Sequence, residues 1–268
     1  MTNNKAFRVY ILILFVSFIT PVLALDLGIS PPDINLKINR GEQYQGELYL
    51  FGSEKDSIQI KIYPMDWSLS TSGNYQFLPM GTVKRSASSW ISFSPKTLNL
   101  PPKRGQKIEY TIKVPNDASG SYWAALMAET NPTLGGEPGQ VQVMMAGRVA
   151  YIIRIDINGS SAGVGKVERL KLNWDQEDNK LDASLRIKNS GISMLRFKGK
   201  LELKDNQGKA IGTIPFREGY ILPDYTREFD LADHKLNLKS GFYIGLAIAD
   251  FGERNLKAVQ ASLEIKSK

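Results

Sequence analysis

From Leu27 onward, apolar and polar residues alternate over short stretches separated by Gly, Pro, Asn, Asp and Ser, and no long stretch carries a helical period. Ile58, Ile60 and Ile62 form one such set, and Ile108, Tyr110, Ile112 and Val114 form another. Leu185 with Ile187 and Leu201 with Leu203 continue the pattern. Successive side chains of a strand point to opposite faces, so each set turns one face inward. The pattern predicts an all-β chain of two tandem immunoglobulin-like β-sandwich domains. A small, polar stretch without apolar period at 158–163 separates two strand-rich halves. The expected division is a first domain over 25–157, a linker over 158–165 and a second domain over 166–268. At 268 residues the chain is long enough for each half to bury its own core.

The halves echo each other. Leu100-Pro101 opens an extended stretch leading to Ser119-Gly120-Ser121-Tyr122, and Leu222-Pro223 does the same before Ser240-Gly241-Phe242-Tyr243. In immunoglobulin-like folds a tyrosine near the start of the sixth strand closes a corner by hydrogen bonding back along the chain, which makes Tyr122 and Tyr243 the candidates.

The first residues change the picture of location. Lys5 and Arg8 precede an apolar run over 9–19, and Val22-Leu23-Ala24 gives a small-residue exit, the pattern of a secretory signal cleaved after Ala24. The run meets Ser17 and Thr20 before the ~18 unbroken apolar residues that a membrane span needs. The mature chain is therefore expected to be exported, without stable membrane insertion. It has no cysteine, so packed cores rather than disulfides must hold it. Removing Lys5 and Arg8 with the signal lowers the formal net charge from +7 to +5, and these charges are dispersed, which gives no basis for a nucleic-acid partner.

Candidate chemistry is sparse. The stretch from Gly159 to Lys166 resembles a phosphate-binding loop, but it is one residue too long, has Val167 where Ser or Thr would hold magnesium, and leads into an alternating strand pattern. His234 is the single histidine, so neither a zinc cluster nor a Cys-His dyad can form, and no Gly-x-Ser-x-Gly elbow accompanies it. Asp175, Glu177 and Asp178 fall in a hairpin turn pattern, with weak calcium binding as the other reading. No catalytic residues, metal or cofactor are expected, and the chain does not read as an enzyme.

The segment over 140–157 is long for a sandwich strand and carries no charge before Arg148. Val141, Val143 and Met145 fall on one face, and Gln142, Met144 and Ala146 on the other. Two readings stand. Its edge could meet a partner strand by β-augmentation, or its apolar face could pack within its own domain. In the first case each of Val141, Val143 and Met145 could contribute roughly 1.5–3 kcal/mol, before the cost of ordering.

These residues resemble the periplasmic pilus chaperones of the chaperone/usher pathway. The similarity covers most of the mature chain. VQVMMAGRVAYIIR at 141–154 is similar to the last strand of the family's first domain, and YWAALMAETNP at 122–132 to its sixth strand and following proline. ISPP at 29–32 and LPPKRGQ at 100–106 are similar to its opening strand and to a later turn. The resemblance implies a chaperone for exported pilus or surface subunits, with an outer-membrane usher as a further partner. It implies donation of Val141, Val143 and Met145 to a subunit. The family anchors a subunit carboxylate with an arginine on the first strand and a lysine on the seventh. Here Ala150 stands at the lysine's place, and no basic residue lies near residues 29–33 in sequence. Arg148, on the same strand face as Ala150, could supply that charge, or could be a surface arginine in a salt bridge.

Two other readings compete. Tandem sandwiches also serve as surface adhesion or peptidoglycan-binding modules. A carbohydrate-binding reading would use Trp67, Trp90, Trp123 and Trp174 as sugar platforms, although tryptophans in sandwiches more often fill cores.

Overall fold

The computed structural model describes residues 27–53, 55–135, 143–232, 234, 236, 238–252 and 256–266. In the first domain the strands are β1 (Gly28–Ser30), β2 (Asp33–Ile38), β3 (Gln43–Phe51), β4 (Ile58–Leu69), β5 (Tyr75–Leu78) and β6 (Ile91–Ser94). They are followed by β7 (Thr97–Leu100), β8 (Gln106–Lys113), β9 (Ser121–Thr130), β10 (Thr133–Gly135), β11 (Val143–Met145) and β12 (Arg148–Ile157). One sheet has the order β1-β3-β8-β6, and the other β2-β12-β9-β4-β5 with β7 also on β4. The second domain comprises β13 (Gly165–Asp175), β14 (Lys180–Asn189), β15 (Leu195–Asp205), β16 (Ala210–Pro215), β17 (Gly219–Ile221), β18 (Thr226–Asp230), β19 (Gly241–Asp250) and β20 (Lys257–Ile265). Its sheets are β13-β14-β18 and β16-β15-β19-β20, with β17 on β15. The chain is thus two β-sandwiches in tandem, and Lys166 lies within a strand rather than at the start of a helix.

The alternating sets do what their period requires. Ile60, Ile62, Ile108, Tyr110 and Ile112 are buried together with Leu48, Leu126 and Ile153 in the first core. Leu185, Ile187, Leu201 and Leu203 meet Phe197, Phe216 and Phe229 in the second. Inside the first core the hydroxyls of Tyr110 and Tyr151 lie 2.7 Å apart, each the other's buried partner.

A third apolar cluster lies on the outer face of the β12-β9-β4 sheet, which joins the domains. Trp67, Trp123, Met127 and Ile152 from the first domain pack against Leu222 from the second. Tyr225 meets Trp123 edge-on, with centroids 6.4 Å apart. Both tryptophans are fixed by bonds to backbone carbonyls: Trp67 Nε1 donates to Ala124 O at 2.9 Å and Trp123 Nε1 to Trp67 O at 2.6 Å. Both rings are buried, which removes them as sugar platforms. Leu222 thus serves the domain junction, and its likeness to Leu100, which lies in the first core, is one of sequence only.

The two Ser-Gly motifs diverge in the same way. Tyr243 Oη donates to Lys239 O at 2.9 Å and closes the expected corner. Tyr122 instead lays its ring against Trp90, with centroids 4.4 Å apart, under the Arg85 guanidinium. Gly120, at φ +83°, sits where an added Cβ would strike Ile192 O of the second domain. Beside it Ser121 N donates to Ile192 O at 2.9 Å, and Met194 N donates to Ser121 Oγ at 2.7 Å. Glycine is needed there for both the left-handed backbone and the close approach.

Asp66, on β4, is fully buried and accepts hydrogen bonds from Val83 N at 2.9 Å, Ser88 Oγ at 2.7 Å and Ser86 Oγ at 2.5 Å. It pins the crossing from β5 to β6 against the sheet. Asp66→Ala leaves these three donors without their acceptor and is expected to lower first-domain stability by about 3 kcal/mol. Urea unfolding followed by tryptophan fluorescence checks this, and an unchanged midpoint would show that the crossing is held by other contacts.

Candidate functional site

The site grows from the way the first strand divides. β1 pairs with β3 in one sheet, and after Pro31-Pro32 the chain crosses to the other sheet, where β2 runs parallel to β12. That pairing begins at Ile152 opposite Asp33, with Ile152 N donating to Pro32 O at 3.1 Å. On its other side β12 pairs antiparallel with β9 from Arg148–Glu129 to Asp156–Ser121. Strand residues alternate the side to which their N–H and C=O point. Ile152 points toward β2, and Gly147, whose carbonyl accepts from Thr130 N at 2.9 Å, points toward β9. By that alternation the backbone groups of Arg148 and Ala150 face an edge that β2 does not reach. The Pro31-Pro32 crossing therefore fixes where β12 is covered by β2 and where, among the described residues, it is open.

The expected single strand over 140–157 is divided. Opposite Ala146 and Gly147 stand three residues, Thr130, Asn131 and Pro132, so the ladder shifts by one at this point. This is a β-bulge, which bends and twists the ladder. Proline, with no N–H to give, marks the extra residue's place. Beyond it β10 and β11 form a separate ladder with Met145 opposite Thr133 and Val143 opposite Gly135. Among the described residues β11 pairs only with β10, which leaves its second edge open. Because the extra residue lies on the β9–β10 side, the spacing of side chains from β11 into β12 is preserved.

Val141 lies outside the described residues. Val143 is in β11, with its backbone in register as stated. Met145 is half-buried, whereas Met144, on the opposite face, is 64% exposed. Arg148 is exposed and stands opposite Glu129. Tyr63 Oη donates to Glu129, and the Arg148 guanidinium lies beside the same hydroxyl. Burial pushes the Tyr63 hydroxyl above its ordinary pKa, and Glu129 adds to this while Arg148 opposes it.

The sequence reading found no basic residue near 29–33, and the fold supplies one. Arg154, on β12 and only 7% exposed, places Nη1 2.7 Å from Asp33 Oδ2 and donates through Nη2 to Tyr75 Oη at 2.6 Å. Its guanidinium lies 5.0 Å from the ring centroid of Tyr220 in the second domain. Burial opposes the charge, but Asp33 and Tyr75 outweigh it, so the group titrates above its ordinary value. Arg227 of the second domain approaches from the other side, donates to Tyr220 O at 2.8 Å and stacks on Phe229 at 4.7 Å. Burial lowers its pKa, and among the described residues it has no carboxylate partner within ion-pair distance. The signal for Arg154 was present: it is the one charge in the apolar run over 149–155, two and four positions from Ile152 and Ala150 on the same face.

No family model and no curated protein matches the chain. Solved structures do. The class 5 fimbriae chaperone CfaA is 12% identical over 90% of this chain and 100% of its own, with a TM-score of 0.45. These neighbours are fimbrial chaperones. The CsuC–CsuE chaperone–tip adhesion subunit complex of Acinetobacter baumannii matches at 14% identity over 88% of this chain and 97% of its own, TM-score 0.42. The SafA pilin–SafB chaperone complex of Salmonella enterica matches at 9% identity over 90% and 98%, TM-score 0.43. The likeness lies in the overall arrangement of strands. No helix among the described residues is long and apolar enough to cross a membrane.

Arg154→Leu is expected to cost about 2 kcal/mol, the loss being moderated by the partial exposure of Asp33. Thermal unfolding measures the cost, and small-angle scattering should show a broader distribution of interdomain distances. Scattering identical to the parent's would mean that Leu222 and its neighbours hold the junction alone.

Proposed function

We propose that this chain is a periplasmic chaperone or assembly factor that holds exported pilus or surface subunits by lending them the edge of β11 and β12. The observation that supports this most is the open edge itself, which begins where the Pro31-Pro32 crossing ends and carries apolar side chains past the bulge. An edge of this kind is usually blunted by charge, proline or a covering segment unless it is meant to pair. On this reading an added subunit strand takes the backbone groups of Arg148 and Ala150. Val141, Val143 and Met145 fill gaps in the subunit's core, and Arg148 pairs with a subunit carboxylate at the rim. An outer-membrane usher is the second partner in this scheme.

Tagged mature protein isolated from its native envelope should bring down small secreted β-rich subunits. Val143→Asp places an unpaired charge at the contact and should reduce their recovery about tenfold or more. Ala150→Pro removes one edge N–H and should do the same while circular dichroism stays unchanged. Equal subunit recovery with both variants would refute strand donation, and strong retention on purified cell wall without any protein partner would favour the surface-binding module instead.

A further inference from the structure

Alternation along β19 turns Tyr243, Ala247 and Ala249 into the second core and sets Phe242, Ile244, Leu246 and Ile248 on the opposite, outer face. Phe242 is 58% exposed and Ile244 47%, while Leu246 and Ile248 are half-buried. Together they make an apolar ridge about 20 Å long on an interior strand of the sheet. By contrast β14 presents Lys180, Asp182, Ser184, Arg186 and Lys188 outward, and β8 presents Lys107, Glu109, Thr111 and Lys113. The outer face of β12-β9-β4 does carry large apolar side chains, and there the second domain covers them through Leu222. A solvated antiparallel sheet alternates apolar-in and polar-out, so a continuous apolar row pointing outward marks a contact. Every residue of β15, β19 and β20 is described, and the ridge is bare at Phe242 and Ile244.

The two flanks of the ridge are unlike each other. Cross-strand register puts Lys200, Glu202 and Lys204 of β15 beside Ile248, Leu246 and Ile244. On the other side Ala258, Gln260, Ser262 and Glu264 of β20 stand beside Ile248, Leu246, Ile244 and Phe242. Arg196 and Lys198 pair with Glu218, and Lys200 pairs with Glu202 at 2.8 Å. Lys204 and Glu264, on opposite flanks, are exposed and have no ion-pair partner among the described residues.

A second copy turned about a two-fold axis along β19 lays ridge on ridge and sets each copy's β15 over the other's β20. Glu202 then faces Gln260, whose amide can donate to it. Lys204 faces Ser262, with Glu264 one outward position further, about 7 Å along the strand and within reach of a lysine side chain. An axis across the strands would instead set β15 on β15 and bring the lysine-rich flanks together. Four strands about 4.8 Å apart and about 30 Å long give a face of roughly 600 Å², so a pair buries roughly 1,200 Å², at the lower end of specific interfaces.

We propose that this face is a homodimer interface, in which two copies of the chain pack β19 on β19 around the axis along that strand. It lies on the other domain from the β11–β12 edge and uses no residue of it.

Sedimentation equilibrium of the full mature chain tests this. A monomer–dimer equilibrium with half the chain dimeric below about 100 µM is expected, and a monomer at every concentration up to that overturns the proposal. Ile244→Asp, on the solvent side of its strand, should weaken the dimer about a hundredfold while circular dichroism stays unchanged. Lys204→Glu and Glu264→Lys should each weaken it about tenfold, and the double variant should regain most of the parent's affinity. Val143→Asp should leave it unaltered. A dimer broken by Val143→Asp but not by Ile244→Asp would assign self-association to the β11–β12 edge, and a dimer insensitive to both charge changes would exclude the axis along β19. Either result overturns the proposal. A monomer that floats with phosphatidylglycerol vesicles through Phe242 and Ile244 would assign the face to a lipid surface, and overturns it as well.

Discussion

A guanidinium buried between two sandwiches needs partners, and Arg154 donates hydrogen bonds from both terminal nitrogens to the first domain and has a ring contact from the second, while its Nε is left without a partner among the described residues. Asp33 comes from the segment after the proline crossing, Tyr75 from the strand at the far edge of the sheet, and Tyr220 from the other domain. Leaving such a charge without partners is costly, so these elements are tied to one arrangement. The tip of the β4–β5 hairpin adds to this, with Thr71 O accepting from Glu228 N at 2.8 Å, and Gly73 leaves room for the Arg227 guanidinium. The domain junction is therefore held by one cation together with the apolar cluster around Leu222.

The open edge follows from a different constraint. A single extended segment can pair with one sheet at a time, and the chain near its start serves both, first beside β3 and then beside β12. The crossing leaves the part of β12 before Ile152 without a strand on that side among the described residues. The bulge at Asn131-Pro132 then breaks the ladder, so that among the described residues β11 pairs with β10 alone. The openness of this edge is a product of topology, whereas its apolar character is a product of sequence, and the functional assignment needs both.

The sequence made the two sandwiches and their cores legible because period-two alternation speaks directly of burial on one face. It also showed the Tyr243 corner and the turn at Asp175, where Oδ1 accepts from Glu177 N at 2.9 Å and Asp178 N at 3.2 Å. The division of the long strand was hidden, since a bulge depends on the register between two segments and here the extra residue belongs to the partner strand. The Arg154–Asp33 pair was hidden for a related reason: parallel pairing of β2 with β12 joins residues far apart in the chain, and nothing local announces it. Tyr122 and Leu222 resembled their counterparts in the other half, yet both were drawn into contacts that only the docking of two domains or a neighbouring loop could create.

The position of the bulge bears on how such a chain can change length. An insertion or deletion on the Thr130–Pro132 side would alter the bend of the arm while the outward and inward residues of β11 kept their places. The same change at Ala146 or Gly147 would exchange them, turning Met144 to the face now held by Met145 and moving every side chain before it likewise. The two strands of one hairpin are therefore under unequal constraint, with length variation tolerable on one arm and disruptive on the other.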